Sequence, residues 1–131
     1  QRVMDGMPYS GWSAGSNIAC PSLRTTNDMP IIEPESFNCL NLIPFQINPH
    51  YLDANPEGHG GETREQRILE FLTVNQDMYV AGLREGCYFE VEDEKISLHG
   101  NRPLRIFRHG KPASEIGPGL SIDFLMKGEL L

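Results

Sequence analysis

The clearest periodic pattern of the chain lies in residues 62–75. Charged residues fill its first turns, and apolar residues recur at a spacing that favours one face of a helix. The apolar positions are Ile68, Leu69, Phe71 and Leu72. Apolar runs typical of buried strands flank this segment at 42–47 and 78–83. Because strand and helix alternate along the front two thirds, the pattern predicts an α/β fold with a mostly parallel sheet flanked by helices.

The pattern changes after residue 86. Residues 87–100 alternate between apolar and polar positions on either side of an acidic turn at 92–94, which predicts a β-hairpin. Short strand-like runs continue to residue 116, while the apolar tail, 118–131, predicts no definite element. We therefore expect antiparallel additions in the C-terminal third of one domain. Residues 1–86 form the first part of this domain, and the hairpins and the tail form residues 87–131.

Residues 9–17, YSGWSAGSN, contain the pattern G-x-S-x-G around Ser13. A strand at 8–12 and a helix from Ala14 to about Pro21 would place Ser13 on a sharp strand-to-helix turn. The two glycines would relieve crowding and take unusual backbone angles there. The N–H of Ala14 would then face an oxyanion at the helix N-terminus. The pattern alone fits a catalytic nucleophile and an ordinary glycine-rich turn equally well.

Two further reactive side chains follow predicted strands. His50 comes after the run at 42–47, and Glu85 comes after the run at 78–83. Functional sites of open α/β sheets lie outside the carboxyl ends of the strands, so Ser13, His50 and Glu85 could meet there. Their chain order differs from that of α/β-hydrolases, but a triad is defined by geometry rather than by order.

The net charge, the apolar runs and the cysteines limit which partners and which cellular compartment we expect. A net charge of −7 argues against a nucleic-acid partner, which would need clustered Lys and Arg. The sequence has no apolar run near the roughly 20 residues that span a membrane. The three cysteines, Cys20, Cys39 and Cys87, are odd in number and lack C-x-x-C spacing. We expect reduced, buried thiols in a cytoplasmic protein, rather than disulfides or a zinc site.

Longer stretches of sequence are more specific than G-x-S-x-G. In order, they are GWSAGSNIACPSLRTTNDMPI, QINPHY, PEGHGGETREQRI and GLREG. Together they closely resemble peptidase E, the α-aspartyl dipeptidases of a serine peptidase group that also contains cyanophycinase. The resemblance covers about residues 9–86. It implies a fold like that of class I glutamine amidotransferases. It also implies a cytoplasmic enzyme that cleaves Asp-Xaa dipeptides through an acyl-enzyme, and we expect no metal or organic cofactor.

The resemblance also implies roles for individual residues. These are nucleophile Ser13, general base His50, orienting carboxylate Glu85, oxyanion donor Ala14 and aspartate-binding Arg64. Arg64 could instead pair with Glu62 or Glu65 on its own helix. A cation at a helix N-terminus opposes the helix dipole, however, and a guanidinium binds carboxylates bidentately, so we favour the functional role. Asp28 is the rival to Glu85 as triad acid. We expect Asp28 to bind the substrate's α-ammonium or to play a structural part.

The resemblance has one large departure. In that family the serine turn lies near the middle of the chain. The N-terminal half supplies further strands and a second oxyanion N–H. Residues 1–5 resemble the last turn of a helix capped by Gly6, so we expect an N-terminal portion to be missing from this chain, either clipped or carried as a separate polypeptide partner. Without it, one sheet edge would be bare and prone to aggregation. The alternatives are a cyanophycinase-like β-aspartyl hydrolase, or an inactive fragment or binding module.

Overall fold

A computed structural model describes residues 1–27, 32–54 and 61–127. The helices are α1 (Ala14–Ala19), α2 (Arg64–Val74) and a 3-10 helix (Asp123–Lys127). The strands are β1 (Gln46–Asn48), β2 (Tyr79–Gly82), β3 (Tyr88–Glu92), β4 (Lys95–His99), β5 (Leu104–Arg108) and β6 (Ser114–Ile116). None of the helices in these residues combines the length and the apolar character that crossing a membrane requires.

Four strands form a mixed sheet in the order β1-β2-β5-β6. β1 and β2 are parallel, whereas β2–β5 and β5–β6 are antiparallel. The α/β character and the antiparallel C-terminal additions are confirmed, and β3 and β4 form the predicted hairpin. The prediction of a mostly parallel sheet is wrong for this part of the chain. The reason is that β5 pairs directly with β2, so the C-terminal strands extend the same sheet.

Helix α2 covers one face of the sheet. Thr63 begins it with a capping box, in which its hydroxyl accepts from the Gln66 N–H and the Gln66 side chain accepts from the Thr63 N–H. Ile68 and Leu72 are buried against sheet and loop residues, namely Tyr51, Val80 and Phe107. The predicted helix is confirmed, although Leu69 is 47% exposed because α2 presents only a narrow stripe to the sheet.

The opposite face carries the larger core. The hairpin contributes Ile96 and Leu98, and the tail contributes Ile122 and Leu125, all at most 5% exposed. Asp123 joins these two parts because its carboxylate accepts a hydrogen bond from the Ile96 N–H at 3.0 Å. The described part of the tail, 118–127, therefore contributes to the hydrophobic core, although the sequence pattern predicted no element there, and residues 128–131 lie outside the described residues.

The outer edge of β1 is occupied by side chains rather than bare. The Ile47 N–H donates to Cys20 Sγ at 3.2 Å. The Ile47 carbonyl accepts from Asn17 Nδ2 at 3.0 Å and from Thr25 Oγ1 at 2.9 Å. Burial raises the pKa of the Cys20 thiol to about 12, in keeping with a structural role. The expected aggregation-prone edge is thus not present at β1, because α1 and the loop after it satisfy its backbone.

The segment before α1 is not the predicted strand. Residues 7–12 pair with none of the strands in the described parts of the chain, and Trp12 is 82% exposed. A strand needs a neighbour that satisfies its backbone, and this segment has none there. Before it, the Asp5 N–H donates to the Gln1 carbonyl at 3.0 Å and Gly6 has φ 109°, which matches the predicted end of a helical turn.

Candidate active site

Ser13 lies at the N-cap of α1 with strained backbone angles. Its φ is 54° and its ψ is −118°, a combination that few residues other than glycine adopt. The turn is closed by hydrogen bonds from the Gly15 N–H to the Trp12 carbonyl at 2.9 Å and from the Ser16 N–H to the Ser13 carbonyl at 3.0 Å. Ala14 is the first helical residue, and its N–H has no acceptor within the helix.

The two glycines around Ser13 play different parts. A Cβ on Gly11 would lie 2.9 Å from the backbone carbon and oxygen of Gly15, so only glycine allows this approach. A Cβ on Gly15 would meet nothing closer than the Tyr9 hydroxyl at 3.9 Å. The expectation that the glycines take the unusual backbone angles is wrong. The positive φ belongs to Ser13 itself, and Gly11 provides close packing instead.

His50 and Glu85 meet just beyond the ends of two parallel strands. The register of β1 and β2 continues past the strands, because the Leu83 N–H donates to the Asn48 carbonyl at 3.0 Å and the Tyr51 N–H donates to the Leu83 carbonyl at 2.9 Å. His50 Nδ1 is hydrogen-bonded to Glu85 Oε1. His50 also has a positive φ, 53°. The contact inferred from the strand ends is therefore present in the fold.

All three residues border one cleft. Its volume is about 740 Å³, and Ser13, His50 and Glu85 line it together with residues of the N-terminal segment and the hairpin. The cleft wall is largely apolar, with Trp12, Ile47, Leu83 and Phe89 among its residues. Ser13 is half-buried, whereas the side chains of His50 and Glu85 are 46% and 63% exposed. The arrangement brings a strained serine and a carboxylate-bound imidazole to the same concave surface.

Arg64 contacts the loop that carries His50. Its Nη1 donates to the Pro49 carbonyl at 3.1 Å and to the His50 carbonyl. Glu65, one of the acids considered as its partner, lies 3.4 Å from Arg105 instead. Arg64 also lines a second cavity of about 440 Å³, whose charged lining consists of three arginines and two glutamates, Arg24, Arg64, Arg67, Glu62 and Glu70. The guanidinium thus lies between the His50 loop and this second cavity.

Asp28, the rival triad acid, lies outside the described residues. Its neighbour Asn27 belongs to a buried polar network that the sequence pattern did not reveal. Asn27 Nδ2 donates to the Pro49 carbonyl at 2.7 Å, and Asn27 Oδ1 accepts from Asn48 Nδ2 at 2.8 Å. Arg67 Nη1 donates to the Asn27 carbonyl at 2.6 Å. This network connects the loop after α1 with the loop that carries His50.

Arg84, the residue before Glu85, is a second residue near the candidate site that the sequence pattern did not reveal. It is 5% exposed and pairs with Asp53 at 2.6 Å and with Glu115 at 2.7 Å. Hydrogen bonds from Arg84 are the main reason that the pKa values of both carboxyl groups are lowered, and the two carboxylates in turn raise the pKa of Arg84. The only signal in the sequence was an arginine beside the reactive glutamate in GLREG.

Two comparisons with known proteins point to the same family. Residues 1–99 match peptidase family S51. The chain is 54% identical over 126 residues to peptidase E of Nostoc sp., and 54% identical over 125 residues to peptidase E of Streptomyces coelicolor. These alignments cover 96% and 95% of this chain but 52% and 51% of the relatives. The chain spans about half the length of the curated relatives it matches, and it belongs to peptidase family S51.

Proposed function

We propose that this chain carries the catalytic triad of a serine exopeptidase that hydrolyses Asp-Xaa dipeptides. The observation that carries the proposal is the His50–Glu85 hydrogen bond at a cleft that Ser13 also borders. Membership of family S51 and the name peptidase E of its relatives support a serine peptidase. Aspartate specificity rests on the resemblance in sequence and on the position of Arg64.

We assign the chemistry of the three residues from their residue types, the His50–Glu85 hydrogen bond and the cleft that Ser13 shares with them. An alcohol is a poor nucleophile near neutral pH, so Ser13 needs a base. Glu85 accepts from Nδ1 of His50, which leaves Nε2 to take the Ser13 proton as Oγ attacks the scissile carbonyl. When the C–N bond breaks, His50 returns that proton to the leaving amine. Water then hydrolyses the acyl-enzyme with His50 again as base.

Charge on the tetrahedral intermediate is stabilised at the start of α1. The Ala14 N–H follows the nucleophile directly and has no acceptor within the helix, so it can donate to the oxyanion. A polypeptide corresponding to the remaining half of the relatives supplies the second donor. It also completes a class I glutamine amidotransferase-like sheet. In this proposal the assembled enzyme acts in the cytoplasm.

We assign recognition of the substrate to the second cavity, beside the His50 loop. Arg64 lines that cavity while one of its nitrogens binds the Pro49 and His50 carbonyls. We assign to it the side-chain carboxylate of the substrate's aspartate, and to Asp28 the α-ammonium. A neutral residue in place of aspartate could not form the charge-assisted pair with the guanidinium, so Asp-Xaa should be preferred.

Hydrolysis of Asp-Leu, isoAsp-Leu and Leu-Leu by the protein as isolated tests this function. The same assay on Ser13→Ala controls for contaminants, and intact masses of every polypeptide in the sample report whether a second chain is present. We expect cleavage of Asp-Leu alone, lost in the variant. Preference for isoAsp-Leu would indicate a cyanophycinase-like β-aspartyl hydrolase. No cleavage by a folded sample would indicate an inactive fragment or a binding module.

A further inference from the structure

The side chains of His50 and Glu85 are exposed to solvent, although the proposed mechanism requires them to keep one fixed geometry. The two side chains are 46% and 63% exposed. An isolated ion pair or hydrogen bond at such a surface contributes only about 0–1 kcal/mol and competes with side-chain entropy. Orientation of the imidazole therefore depends on how firmly the two loops are held relative to each other.

Arg84 is a buried charged residue directly before Glu85 in the sequence. All five of its N–H donors have acceptors. Nε and Nη2 bind the two carboxylate oxygens of Asp53 at 3.2 and 2.6 Å. Nη1 and Nη2 bind those of Glu115 at 2.7 and 2.9 Å. Nη1 also donates to the Pro103 carbonyl at 2.8 Å. Two bidentate pairs of this kind specify direction as well as distance.

These contacts join the two loops that carry the pair. Asp53 lies three residues after His50, and Arg84 lies one residue before Glu85. Tyr51, which follows His50 in the sequence, also contacts this guanidinium. Its ring centre is 5.5 Å from the guanidinium carbon of Arg84. Glu115 on β6 anchors Arg84 from the opposite side. The guanidinium therefore bridges the loop after β1 and the loop after β2.

We propose that Arg84, through Asp53, is the positioning residue that fixes the His50 imidazole against Glu85. This inference rests on the proposed function for its effect on rate. Arg84 is bound entirely by protein groups and needs no contact with substrate. Lysine would not replace it, because a single ammonium cannot form two bidentate pairs.

Asp53→Asn and Arg84→Lys test the proposal, with Glu65→Gln as the matched control. Asp53 is 57% exposed, so its amide variant should fold, yet an amide NH₂ would oppose a guanidinium N–H and break the bidentate pair. Glu65 pairs with Arg105, which also binds Glu115 at 2.9 Å, but Glu65 is not among the hydrogen-bond partners of Arg84. It therefore controls for loss of a neighbouring carboxylate charge without loss of a contact to Arg84. For both test variants we expect kcat on Asp-Leu to fall about 10-fold or more with little change in KM. Glu65→Gln should stay near wild type.

The second readout does not depend on activity. Ring ¹⁵N shifts at about pH 8, where model histidines are neutral, give the tautomer of His50, with His50→Gln identifying the signals. We expect the Nδ1–H form in the wild type and in Glu65→Gln, and a shift toward Nε2–H in Asp53→Asn. An unchanged tautomer in Asp53→Asn, or an equal change in Glu65→Gln, would overturn the positioning role. A tautomer shift in a protein without dipeptidase activity would keep that role and refute the function.

Discussion

The serine turn around Ser13 and the His50–Glu85 corner, which is formed by the two loops after β1 and β2, are held in place by different contacts. At the corner, two parallel strands continue in register, and buried Arg84 bridges the loops beyond them. The turn instead depends on close packing of Gly11 on Gly15 and on one buried amide, Asn17, which is 1% exposed. The segment leading into the turn makes no strand pairing among the described residues.

The sheet of this chain therefore holds the His50–Glu85 corner of the site but not the serine turn. The corner is determined by long-range backbone and ionic contacts. The turn stores its strain locally, at the positive φ of Ser13, and its surroundings include the exposed Met7 and Trp12. Strain of this kind persists only where packing over-determines the backbone. Changes at the turn should therefore act through backbone geometry, and changes at the corner through side-chain chemistry.

The largest effect should come from removing the base at the corner. His50→Ala should lower kcat/KM on Asp-Leu by about 10³-fold or more, because it removes the base that we propose takes the Ser13 proton. Glu85→Gln should lower it less, since water can partly solvate a side chain that is 63% exposed. Steady-state kinetics on both variants measure the two losses. Equal, small losses would contradict the assigned roles.

At the turn, the contrast between Gly11 and Gly15 tests close packing. Gly11→Ala would place a methyl 2.9 Å from the Gly15 backbone, so we expect about 1–3 kcal/mol of destabilisation. The shifted serine should also reduce kcat/KM by about 10²-fold. Gly15→Ala meets only a contact at 3.9 Å and should remain near wild type in both measurements. A reversed order, by denaturant unfolding and kinetics, would refute this account of the turn.

The bond between the turn and β1 should have a smaller effect, on stability. Asn17→Ala removes one of the two side-chain donors to the buried Ile47 carbonyl, which should cost about 1–2 kcal/mol. Asn75→Ala is the control of the same type. Asn75 Nδ2 donates to the Phe71 carbonyl at 2.9 Å within its own helix, where water has access. Urea unfolding should show the larger loss for Asn17, and equal losses would argue against the edge contact.

The smallest effect concerns acid stability at the corner. Arg84 lowers the pKa values of Asp53 and Glu115 below their ordinary values of 3.8 and 4.5. Groups whose pKa is lower in the folded state stabilise the fold above the unfolded value, and this is lost as pH falls through the folded value. Thermal melting from about pH 6 to pH 2 should show stability falling below about pH 4.5, and more shallowly in Asp53→Asn. Parallel curves would contradict the coupling.

Local patterns in the sequence predicted much of the fold. Helix α2 and the β3–β4 hairpin follow from periodicity and from cap and turn residues, which act over a few positions. The meeting of His50 and Glu85 also followed from a simple rule, since both come after adjacent buried strands. These features need little information from distant parts of the chain.

Other features depend on contacts between distant residues and could not be predicted. Arg84 finds Asp53 and Glu115 at a separation of 31 residues in each direction. The antiparallel additions were predicted, but their place in the same sheet depends on β5 pairing with β2, which no local pattern encodes. The buried Ile122 and Leu125 of the tail look like ordinary apolar residues until the hairpin packs against them.

The most direct test of the central claim is covalent labelling of the protein by a fluorophosphonate, read by intact mass and peptide mapping. If Ser13 is a nucleophile activated by His50, one adduct should form, on Ser13. Asp-Leu should slow the labelling, and His50→Ala should abolish it. An adduct on a different serine, or equally fast labelling of the His50 variant, would contradict the account.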